Sequence, residues 1–303
     1  MDLPPSLLSP LVSIVIPTYN HAHFLTDALG DLIAQSYTNW EAIVVNNYSE
    51  DATEQVVEGF SDRRIRLVNF ANKGVIAASR NRAIDLAKGD YVAFLDSDDL
   101  WLPQKLERCI KTLVTHQLDW VCHGERWFGD GIDKEVMYGP LHYASFDELL
   151  YRGNCISTSA VVVKRELLKT AGGFNESSAF VTAEDYELWL RLAQVHAKIG
   201  FIEEILGAYR IHPNGQSRAA LRNMQATSAV VEQFFSKIPA TTFAQKWRRR
   251  LRRGYVFYSG ARALQNSRDH QAAWPLFFKA LWLAPFDKRI VPAMLLNVLR
   301  VRF

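Results

Sequence analysis

The chain has 303 residues, of which 49% are apolar and 22% are charged, and its formal net charge is +3. This balance excludes a disordered tail and a fibrous repeat, and the length is sufficient to bury a core without stapling. The cysteines Cys109, Cys122 and Cys155 form no CxxC pair, which argues against a zinc ribbon or a disulfide framework and favours a reducing compartment.

Neither end of the chain predicts a membrane-targeting or membrane-spanning segment. Residues Met1–Pro5 contain no basic segment followed by an apolar one, so we expect no secretory signal. Apolar runs such as Val291–Leu299 reach about half of the roughly 18 residues that span a bilayer, so we expect no transmembrane helix. Both expectations favour a cytoplasmic location.

The first 95 residues alternate between short apolar runs and segments of helical periodicity. Strands are predicted at 11–16, 40–45, 65–68 and 91–95, with helices between them at 21–35, 51–60 and 75–87. Strands that alternate with helices at this spacing predict an α/β fold with a mostly parallel, doubly wound sheet. Ligands of such sheets bind beyond the carboxyl ends of the strands, which directs attention to the loops beginning at Pro17, Asn46 and Asp96.

The pattern after residue 103 is less regular. Further elements are predicted as a helix directly after 103, strands at 119–123, 157–163 and 198–203, and helices at 164–170 and 183–195. Residues 124–144 are rich in Gly and aromatic residues without a clear period, which predicts a long, mobile loop. From residue 217 onward the pattern is helical, so we expect two regions, 1–217 and 218–303.

Three carboxylates within four residues, Asp96, Asp98 and Asp99, follow directly on the predicted strand at 91–95. They repel one another unless a cation or strong hydrogen bonds neutralise them. Hard divalent cations prefer oxygen ligands, and Mg²⁺ commonly binds one or two carboxylates together with substrate phosphates. The alternative is a solvated turn whose Asp caps the next helix, but the preceding strand favours a site.

Two further segments carry candidate residues. Glu184 and Asp185 open a predicted helix, where acids complement the helix dipole and where one of them could also serve as a general base. His212 follows Tyr209-Arg210-Ile211 and gains weight as a metal ligand only if the fold brings it to the carboxylates.

Short segments in a fixed order along residues 11–217 carry a family resemblance. They are Val12–Asn20, Ser36-Tyr37 with Trp40-Glu41, Asn72–Gly74, Ala78–Asn81, Gly89–Tyr91, Phe94–Asp99, Gly172–Phe174, Glu184-Asp185 and Tyr209–His212. Together they resemble the family-2 inverting glycosyltransferases with the GT-A fold, of the type that makes bacterial surface polysaccharides.

The resemblance implies that residues 1–217 form a GT-A catalytic domain that binds a nucleotide-sugar donor. It implies nucleotide contacts from Pro17, Tyr19, Asn47, Arg80 and Asp96. For Arg80, whose guanidinium suits a phosphate, the alternative is a surface arginine of a helix. Where the family usually has Asp-Asp-Gly-Ser, this chain has Asn46-Asn47-Tyr48-Ser49. Because an Asn amide both accepts and donates, Asn47 can still pair with a uracil-like or thymine-like edge.

The resemblance also implies the metal ligands and the base. Asp98 matches the metal-binding position of the DxD motif, and His212 resembles the histidine that completes the site, which implies Mg²⁺ or Mn²⁺ as cofactor. Asp185 matches the catalytic base, and we expect it to share one cleft with Asp98. The implied reaction is a single inverting displacement with one base, unlike the two-carboxylate geometry of glycosidases.

The basic C-terminal region, 218–303, admits three interpretations. From residue 240 onward the chain carries 13 Lys or Arg and two Asp, a net +11, against −8 for the first 239 residues. The cluster Lys246–Arg253, with the aromatic residues after it, fits an interfacial helix pair on an anionic membrane surface. A packed helical hairpin, indicated by the repeat-like spacing of Ala273, Phe277, Ala280 and Pro285, is the second. Nucleic-acid binding is the third, and no reader motif accompanies it, so we expect no nucleic-acid partner.

The sequence therefore predicts a metal-dependent inverting glycosyltransferase that acts on a hydroxyl of a glycan or lipid-linked acceptor in cell-surface polysaccharide synthesis, peripheral at the inner face of the plasma membrane. Two alternatives stay open. A non-catalytic sugar-nucleotide-binding or scaffold protein is compatible with the altered Asn46-Asn47, although Asp98 and Asp185 are intact. A nucleotidyltransferase would normally carry a Gly-rich phosphate loop where this chain has Pro17–Asn20.

Overall fold

A computed structural model describes residues 9–212 and 219–300 of the chain. They form two compact units. The first comprises Met1–Phe146, Cys155–Glu176 and Leu188–His212, and the second comprises Asp147–Asn154, Ser177–Glu187 and Pro213–Phe303. Residues 1–5, where no secretory signal is expected, and the predicted boundary at 217–218 lie outside the described residues.

The chain alternates strands and helices in its first half and is helical near its end. The strands are β1 Val12–Thr18, β2 Trp40–Asn46, β3 Ile65–Asn69, β4 Tyr91–Phe94, β5 Leu100–Trp101, β6 Trp120–Gly129, β7 Ile132–Val136, β8 Val161–Lys164 and β9 Ile199–Arg210. The helices are α1 Ala22–Ile33, α2 Thr53–Gly59, α3 Ile76–Leu86, α4 Lys105–Thr115, α5 Phe146–Arg152, α6 Arg165–Ala171, α7 Glu184–Gln194, α8 Ala220–Lys237, α9 Phe243–Asn266, α10 His270–Leu283 and α11 Ile290–Val298.

A nine-stranded mixed sheet organises the first unit, in the order β3-β2-β1-β4-β8-β6-β9-β5, with β7 paired to β6. Strands β1 to β4 are parallel, as predicted, and β8 runs antiparallel to both β4 and β6. All seven residues of β1 are buried, because helices cover both faces of such a sheet. On α1 the buried residues recur at helical spacing, namely Leu25, Ala28, Leu29 and Leu32. The predicted α/β fold is confirmed.

The predicted loop at 124–144 is wrong over most of its length. Strand β6 continues to Gly129, and β7 pairs with it antiparallel from Ile132 to Val136. The hairpin turn is Asp130-Gly131, both with positive φ, which is the two-residue turn that matches strand twist. No apolar–polar alternation marks β7 in the sequence, because four of its five residues are exposed and the strand has no apolar face.

Strand β9 is also longer than predicted. It begins at Ile199 and runs to Arg210, well beyond the predicted end at 203. Its register against β6 shifts at Gly124, where two irregularities interrupt the apolar alternation. The extension matters for function because it carries the chain to Arg210 and His212.

Four helices, α8 to α11, form most of the second unit. Ala273, Phe277 and Ala280 are fully buried, as expected for a packed helical hairpin. Gly254 and Gly260 lie on α9 where it meets its neighbours, and a Cβ on either would come within 3 Å of Ala284 or Met224. The helices approach closely for this reason. Over the described parts of the chain, no helix combines the length and apolarity required to cross a bilayer.

Candidate active site

The carboxyl ends of β1, β2 and β4 lie side by side in the first unit. Thr18 pairs with Asn46 across β1 and β2, and Val15 pairs with Phe94 across β1 and β4. Because parallel strands end at the same edge, the loops that follow them share one rim, which the sequence analysis expected. The predicted nucleotide residues of β1 differ in exposure: Pro17 is buried within the strand, whereas Tyr19 is 49% exposed.

Arg80 reaches this rim from α3. Its Nη2 lies 2.7 Å from Oδ1 of Asp96, and its side chain is almost fully buried beside the ring of Phe174. Asp96 is also fixed through its backbone N–H, which donates to Ser159 Oγ over 3.1 Å. The structure therefore brings together two of the predicted nucleotide residues. The surface-arginine alternative for Arg80 is wrong because the side chain is interior.

Asp98 and His212 also meet, although 114 positions separate them in the chain. His212 Nε2 lies 2.9 Å from Asp98 Oδ2, and both side chains keep some exposure, 10% and 20%. Within residues 9–212 and 219–300, no group of three or more His, Cys, Asp or Glu is arranged to hold a metal ion. The pair brings one carboxylate oxygen and one imidazole nitrogen to 2.9 Å from each other, a separation compatible with two ligands of one divalent cation whose other ligands would be phosphate oxygens.

The third acid of the cluster, Asp99, braces the loop rather than facing solvent. Its Oδ2 accepts from Ser159 Oγ at 2.6 Å and its Oδ1 accepts from Arg210 N–H at 3.1 Å. Burial, reinforced by the charge of Asp98, raises the pKa of Asp99 well above its ordinary value. Arg210 adds a second clasp, because its Nε donates to the carbonyl of Asp98 over 3.0 Å.

His21 is a rim residue that the sequence analysis missed. Its Nδ1 lies 2.9 Å from Ser97 Oγ, and its ring lies 5.8 Å from that of His212. Burial lowers the pKa of His21, while the carboxylate of Asp98 opposes that shift. A usable signal existed: His21 directly follows the loop after β1, at the edge where ligands of parallel sheets bind.

Asn47 stands in the loop after β2 with a fixed side-chain orientation. Its Oδ1 accepts the backbone N–H of Asn72 at 2.9 Å, and its own N–H donates to the carbonyl of Thr18. A backbone N–H can only donate, so the oxygen end of the amide must face Asn72 and the NH₂ end points elsewhere. Asn46 is buried and organises the turn, since its Oδ1 accepts from both N–H and Oγ of Ser49.

A buried carboxylate on β6 lies behind the acidic loop. Glu125 Oε2 accepts from the hydroxyl of Tyr138 at 2.6 Å, and Trp127 Nε1 donates to the same hydroxyl at 3.1 Å. Burial raises the pKa of Glu125 to about 7, while hydrogen bonds such as that from Tyr138 oppose the shift. Glu125 was not predicted as a functional residue, because residues 124–144 have no clear period and were predicted to form a loop.

Asp185 belongs to the second unit, in the first turn of α7. Its Oδ1 lies 2.6 Å from the backbone N of Tyr186. The hydroxyl of Tyr186 donates to the carbonyl of Leu149 and accepts from Arg252 Nη2 over 3.2 Å. Asp185 therefore lies on a segment that the helices of its own unit hold in place.

Residues 13–171 match the model of the family described as Glycosyl transferase family 2. This chain belongs to that family. A glucosyltransferase of Escherichia coli, WfgD, is 34% identical over 183 residues, which is 60% of this chain and 69% of WfgD. The Bacillus subtilis protein TuaG, named as a putative teichuronic acid biosynthesis glycosyltransferase, is 29% identical over 69% of this chain and 82% of its own length. The protein is thus a glycosyltransferase.

Solved structures of other glycosyltransferases have the same fold as this chain. The S. aureus protein TarS, in complex with UDP-GlcNAc, superposes with a TM-score of 0.61 at 16% identity, over 95% of this chain and 91% of TarS. The mannosyltransferase PcManGT of Pyrobaculum calidifontis, in complex with GDP-Man and Mn²⁺, superposes with a TM-score of 0.62 at 19% identity, over 99% of this chain and 87% of PcManGT. The GT-A fold with C-terminal helices is confirmed.

Several motifs of this family 2 glycosyltransferase serve the fold rather than the site. Asn81 clasps the Gly172–Phe174 turn, because its Oδ1 accepts from Phe174 N–H and its Nδ2 donates to the carbonyl of the same residue, both at 2.8 Å. A Cβ on Gly173 would lie 2.6 Å from Asn81 Oδ1. Gly89 likewise lies against Ser13 and Leu11 of the β1 region, where a Cβ would come within 2.6 Å of backbone atoms.

Proposed function

We propose that this protein transfers a sugar from a nucleoside diphosphate donor to a hydroxyl of a glycan or lipid-linked acceptor during the synthesis of a cell-surface polysaccharide. The observation that carries the proposal is the 2.9 Å approach of His212 to Asp98 at the rim of a GT-A sheet. Family relatives named for teichuronic acid, colanic acid and amylovoran biosynthesis support the polysaccharide assignment.

The donor side of the proposal rests on the rim residues. Pro17, Tyr19 and Asn47 flank the position of the base, and Arg80 with Asp96 face the ribose and phosphates. An Arg held by a carboxylate at 2.7 Å is pre-oriented, so it spends little side-chain entropy when it meets an anion. Solved structures of the same fold, which contain UDP-GlcNAc, UDP or GDP-Man, support a nucleotide-sugar donor.

We propose Mg²⁺ or Mn²⁺ as the cofactor, held by Asp98 and His212 together with donor phosphates. The donor set suits either ion, because a carboxylate oxygen and a neutral imidazole nitrogen are both ligands of Mn²⁺, and Mg²⁺ favours the oxygen. When bound, such an ion stabilises negative charge on the diphosphate. The Mn²⁺ complex of PcManGT supports the proposal for a protein of the same fold.

The reaction proposed is one inverting displacement. Asp185 accepts the proton of the acceptor hydroxyl as the hydroxyl oxygen forms a bond to the anomeric carbon. The bond from that carbon to the phosphate oxygen breaks, and its electron pair leaves with the nucleoside diphosphate. The guanidinium of Arg80 is a fixed cation near the developing charge, and the acid cluster is kept in position by Ser159 and Arg210.

Two variants test separate parts of the proposal. Asp98→Ala is expected to abolish the EDTA-sensitive part of nucleoside diphosphate binding, which isothermal titration calorimetry measures with and without the chelator. Asp185→Asn is expected to keep that binding and to lose sugar transfer, with the parent product showing inverted anomeric configuration by NMR. Full transfer by Asp185→Asn, or chelator-insensitive binding by the parent protein, contradicts the corresponding assignment.

We further propose that the protein works in the cytoplasm, peripheral at the inner face of the plasma membrane, where lipid-linked acceptors are presented. The relative WfgD, named as a glucosyltransferase that acts on α-D-GlcNAc-diphosphoundecaprenol, supports a lipid-linked acceptor. The strongly basic C-terminal region supports attraction to anionic lipids. Cell fractionation at low salt tests this location: the protein is expected in the membrane fraction, and its complete recovery in the supernatant contradicts the proposal.

A further inference from the structure

The Arg-rich start of α9, the part of the chain whose sequence most favours lipid contact, is used largely within the second unit. Arg252 is 3% exposed and donates to the carbonyl of Leu150 over 2.8 Å. Arg253 forms a two-point pair with Glu232, and Arg248 pairs with Asp147 at 2.7 Å. These arginines fasten helices and acids of the same unit together.

A different surface of the second unit is exposed and apolar. Of the 18 large apolar residues that are exposed among the described residues, seven lie between 278 and 299. We call them the apolar C-terminal face: Phe278, Trp282, Phe286, Val291, Leu295, Val298 and Leu299. Groups of exposed apolar side chains on a protein surface mark interaction sites, because the exposure of apolar area to water is unfavourable.

The residues of this face recur at helical spacing. On α10 the exposed positions Pro275, Phe278 and Trp282 follow one another by three and four residues, opposite the buried Ala273 and Phe277. On α11 the exposed residues Val291, Leu295 and Val298 have the same spacing, opposite the buried Ile290 and Ala293. Each helix therefore uses one side for the core and leaves a largely apolar side uncovered, which on α10 also carries the exposed Gln271 and Lys279.

Charge decides what covers the face. Residues 219–300 carry 14 Lys or Arg against three acids, a net +11. Lys279, Lys288 and Arg300 are exposed next to the apolar residues, and within the described chain none of these three pairs with a carboxylate. Arg250 lies 5.1 Å from the ring of Trp282. A second copy of this chain would bring the same positive charge to the contact, and no nucleic-acid reader motif accompanies the basic residues.

We propose that the apolar C-terminal face inserts into the interfacial region of an anionic lipid bilayer. Trp and Phe with adjacent Lys and Arg are the side chains favoured at that depth, where rings meet acyl chains and cations meet lipid phosphates. This inference rests on the peripheral location proposed above and names the surface that produces it. Vesicle binding tests it without any reference to sugar transfer.

The first test is sedimentation of the full chain with vesicles of phosphatidylcholine and phosphatidylglycerol at 7:3, and of phosphatidylcholine alone. The parent is expected to bind the anionic vesicles, and W282S/L295S to bind them at least tenfold less. The matched control I33S/V195S removes exposed apolar residues from the first unit, 43% and 65% exposed, and is expected to bind like the parent. Thermal unfolding of each variant establishes that the fold is retained.

Equal binding by W282S/L295S and the parent overturns the proposal. A parent that dimerises at the face and ignores vesicles, with W282S/L295S monomeric, assigns the face to a second copy and overturns it as well. A parent that binds vesicles but transfers no sugar leaves this inference intact and refutes the proposed function alone.

The second test separates insertion from charge adsorption. Phe286→Cys, in a Cys155→Ser background, is labelled with a polarity-sensitive dye, since Cys109 and Cys122 are buried. The dye is expected to shift to the blue with anionic vesicles, and a dye at Glu50→Cys in the first unit is expected not to shift. Sedimentation without a shift at Phe286→Cys means adsorption by charge only and overturns insertion of the face.

Discussion

Arg252 Nη2 lies 3.2 Å from the hydroxyl of Tyr186, the residue next to the proposed base Asp185. The same guanidinium donates to the carbonyl of Leu150, and the hydroxyl of Tyr186 donates to that of Leu149, so one buried cation links three segments of the second unit. The basic helix thus has a task that its charge alone does not disclose. It supports the segment that carries the proposed base.

Arg252→Met is expected to lower kcat by at least about tenfold while the KM for the donor stays unchanged, because Asp185 loses its support and the donor residues do not. The buried hydrogen bonds that are lost cost about 3 kcal/mol of unfolding free energy, measured by urea denaturation. Arg248→Met is the matched control, since its pair with Asp147 is exposed and contributes under about 1 kcal/mol. A parallel loss in both variants would contradict the positioning role.

Gly173→Ala and Gly172→Ala form a matched pair for the clasp at Asn81. Both glycines have positive φ, +70° and +78°, so each substitution costs about 1–2 kcal/mol for backbone strain. Only Gly173→Ala adds a collision, since its Cβ would lie 2.6 Å from Asn81 Oδ1, whereas Gly172 has no atom within 4 Å. We expect Gly173→Ala to unfold at clearly lower urea concentration than Gly172→Ala. Equal urea midpoints for the two variants would show that the Asn81 side chain moves aside without loss of stability, and would contradict the prediction.

The buried carboxyl of Glu125 predicts a pH dependence of stability. With its pKa raised to about 7, the folded state keeps a proton between about pH 4.5 and 7 that the unfolded chain releases. The free energy of unfolding of the parent therefore falls relative to Glu125→Gln as pH rises through this window, by about 3 kcal/mol. Urea denaturation of both proteins at pH 5 and 7.5 measures the difference.

His123 makes the free energy of unfolding rise with pH over part of that range, opposite to Glu125. For this reason the parent is compared with Glu125→Gln at each pH. Burial lowers its pKa to about 3, so the unfolded chain binds a proton that the folded state excludes below about pH 6.5. This contribution is common to the parent and to Glu125→Gln, so it cancels in their difference. Parallel stability profiles of the two proteins would contradict the shift assigned to Glu125.

Asn47→Asp tests the amide orientation found after β2. Its oxygen would still accept from Asn72 N–H, but the NH₂ donor would be replaced by a second acceptor. We expect nucleoside diphosphates with a carbonyl on the base edge to bind roughly tenfold more weakly, the loss of about one hydrogen bond. Tyr48→Phe, altered at a side chain that is 60% exposed, serves as the control by calorimetry.

The first half of the sheet was predictable in full, whereas in the second half parts of β6, β8 and β9 were predicted and β5 and β7 were not. Strands β1 to β4 are β-branched or aromatic runs bounded by turns, and they lie within a residue or two of their predicted limits. Strand β7 is exposed and charged, so nothing in its hydrophobicity marks it as a strand, although Asp130-Gly131 is a hairpin signal that deserved more weight.

Some residues of the candidate site could also be predicted from the sequence, and others could not. Asp96 and Asp98 could be singled out because they follow a buried strand. His212 does approach Asp98, and its role as a metal ligand stays a prediction. The clasp of Asn81 on Phe174 joins residues 93 positions apart, and local patterns hold no information on such a distance. The role of Asp185 as the base stays a prediction. So does the cleft that it is expected to share with Asp98.

Because β9 ends near residue 210, the contacts that it brings to the acidic loop can form only late in the synthesis of the chain. Arg210 N–H meets Asp99 across 111 positions and His212 meets Asp98 across 114. Until residues 210–212 have been made, Asp98 lacks His212 and Asp99 lacks its contact with Arg210, and the late closure of such distant contacts is slow. Truncated products that stop short of residue 210 are therefore expected to lack the pair of Asp98 with His212 and the chelator-sensitive donor binding proposed for it.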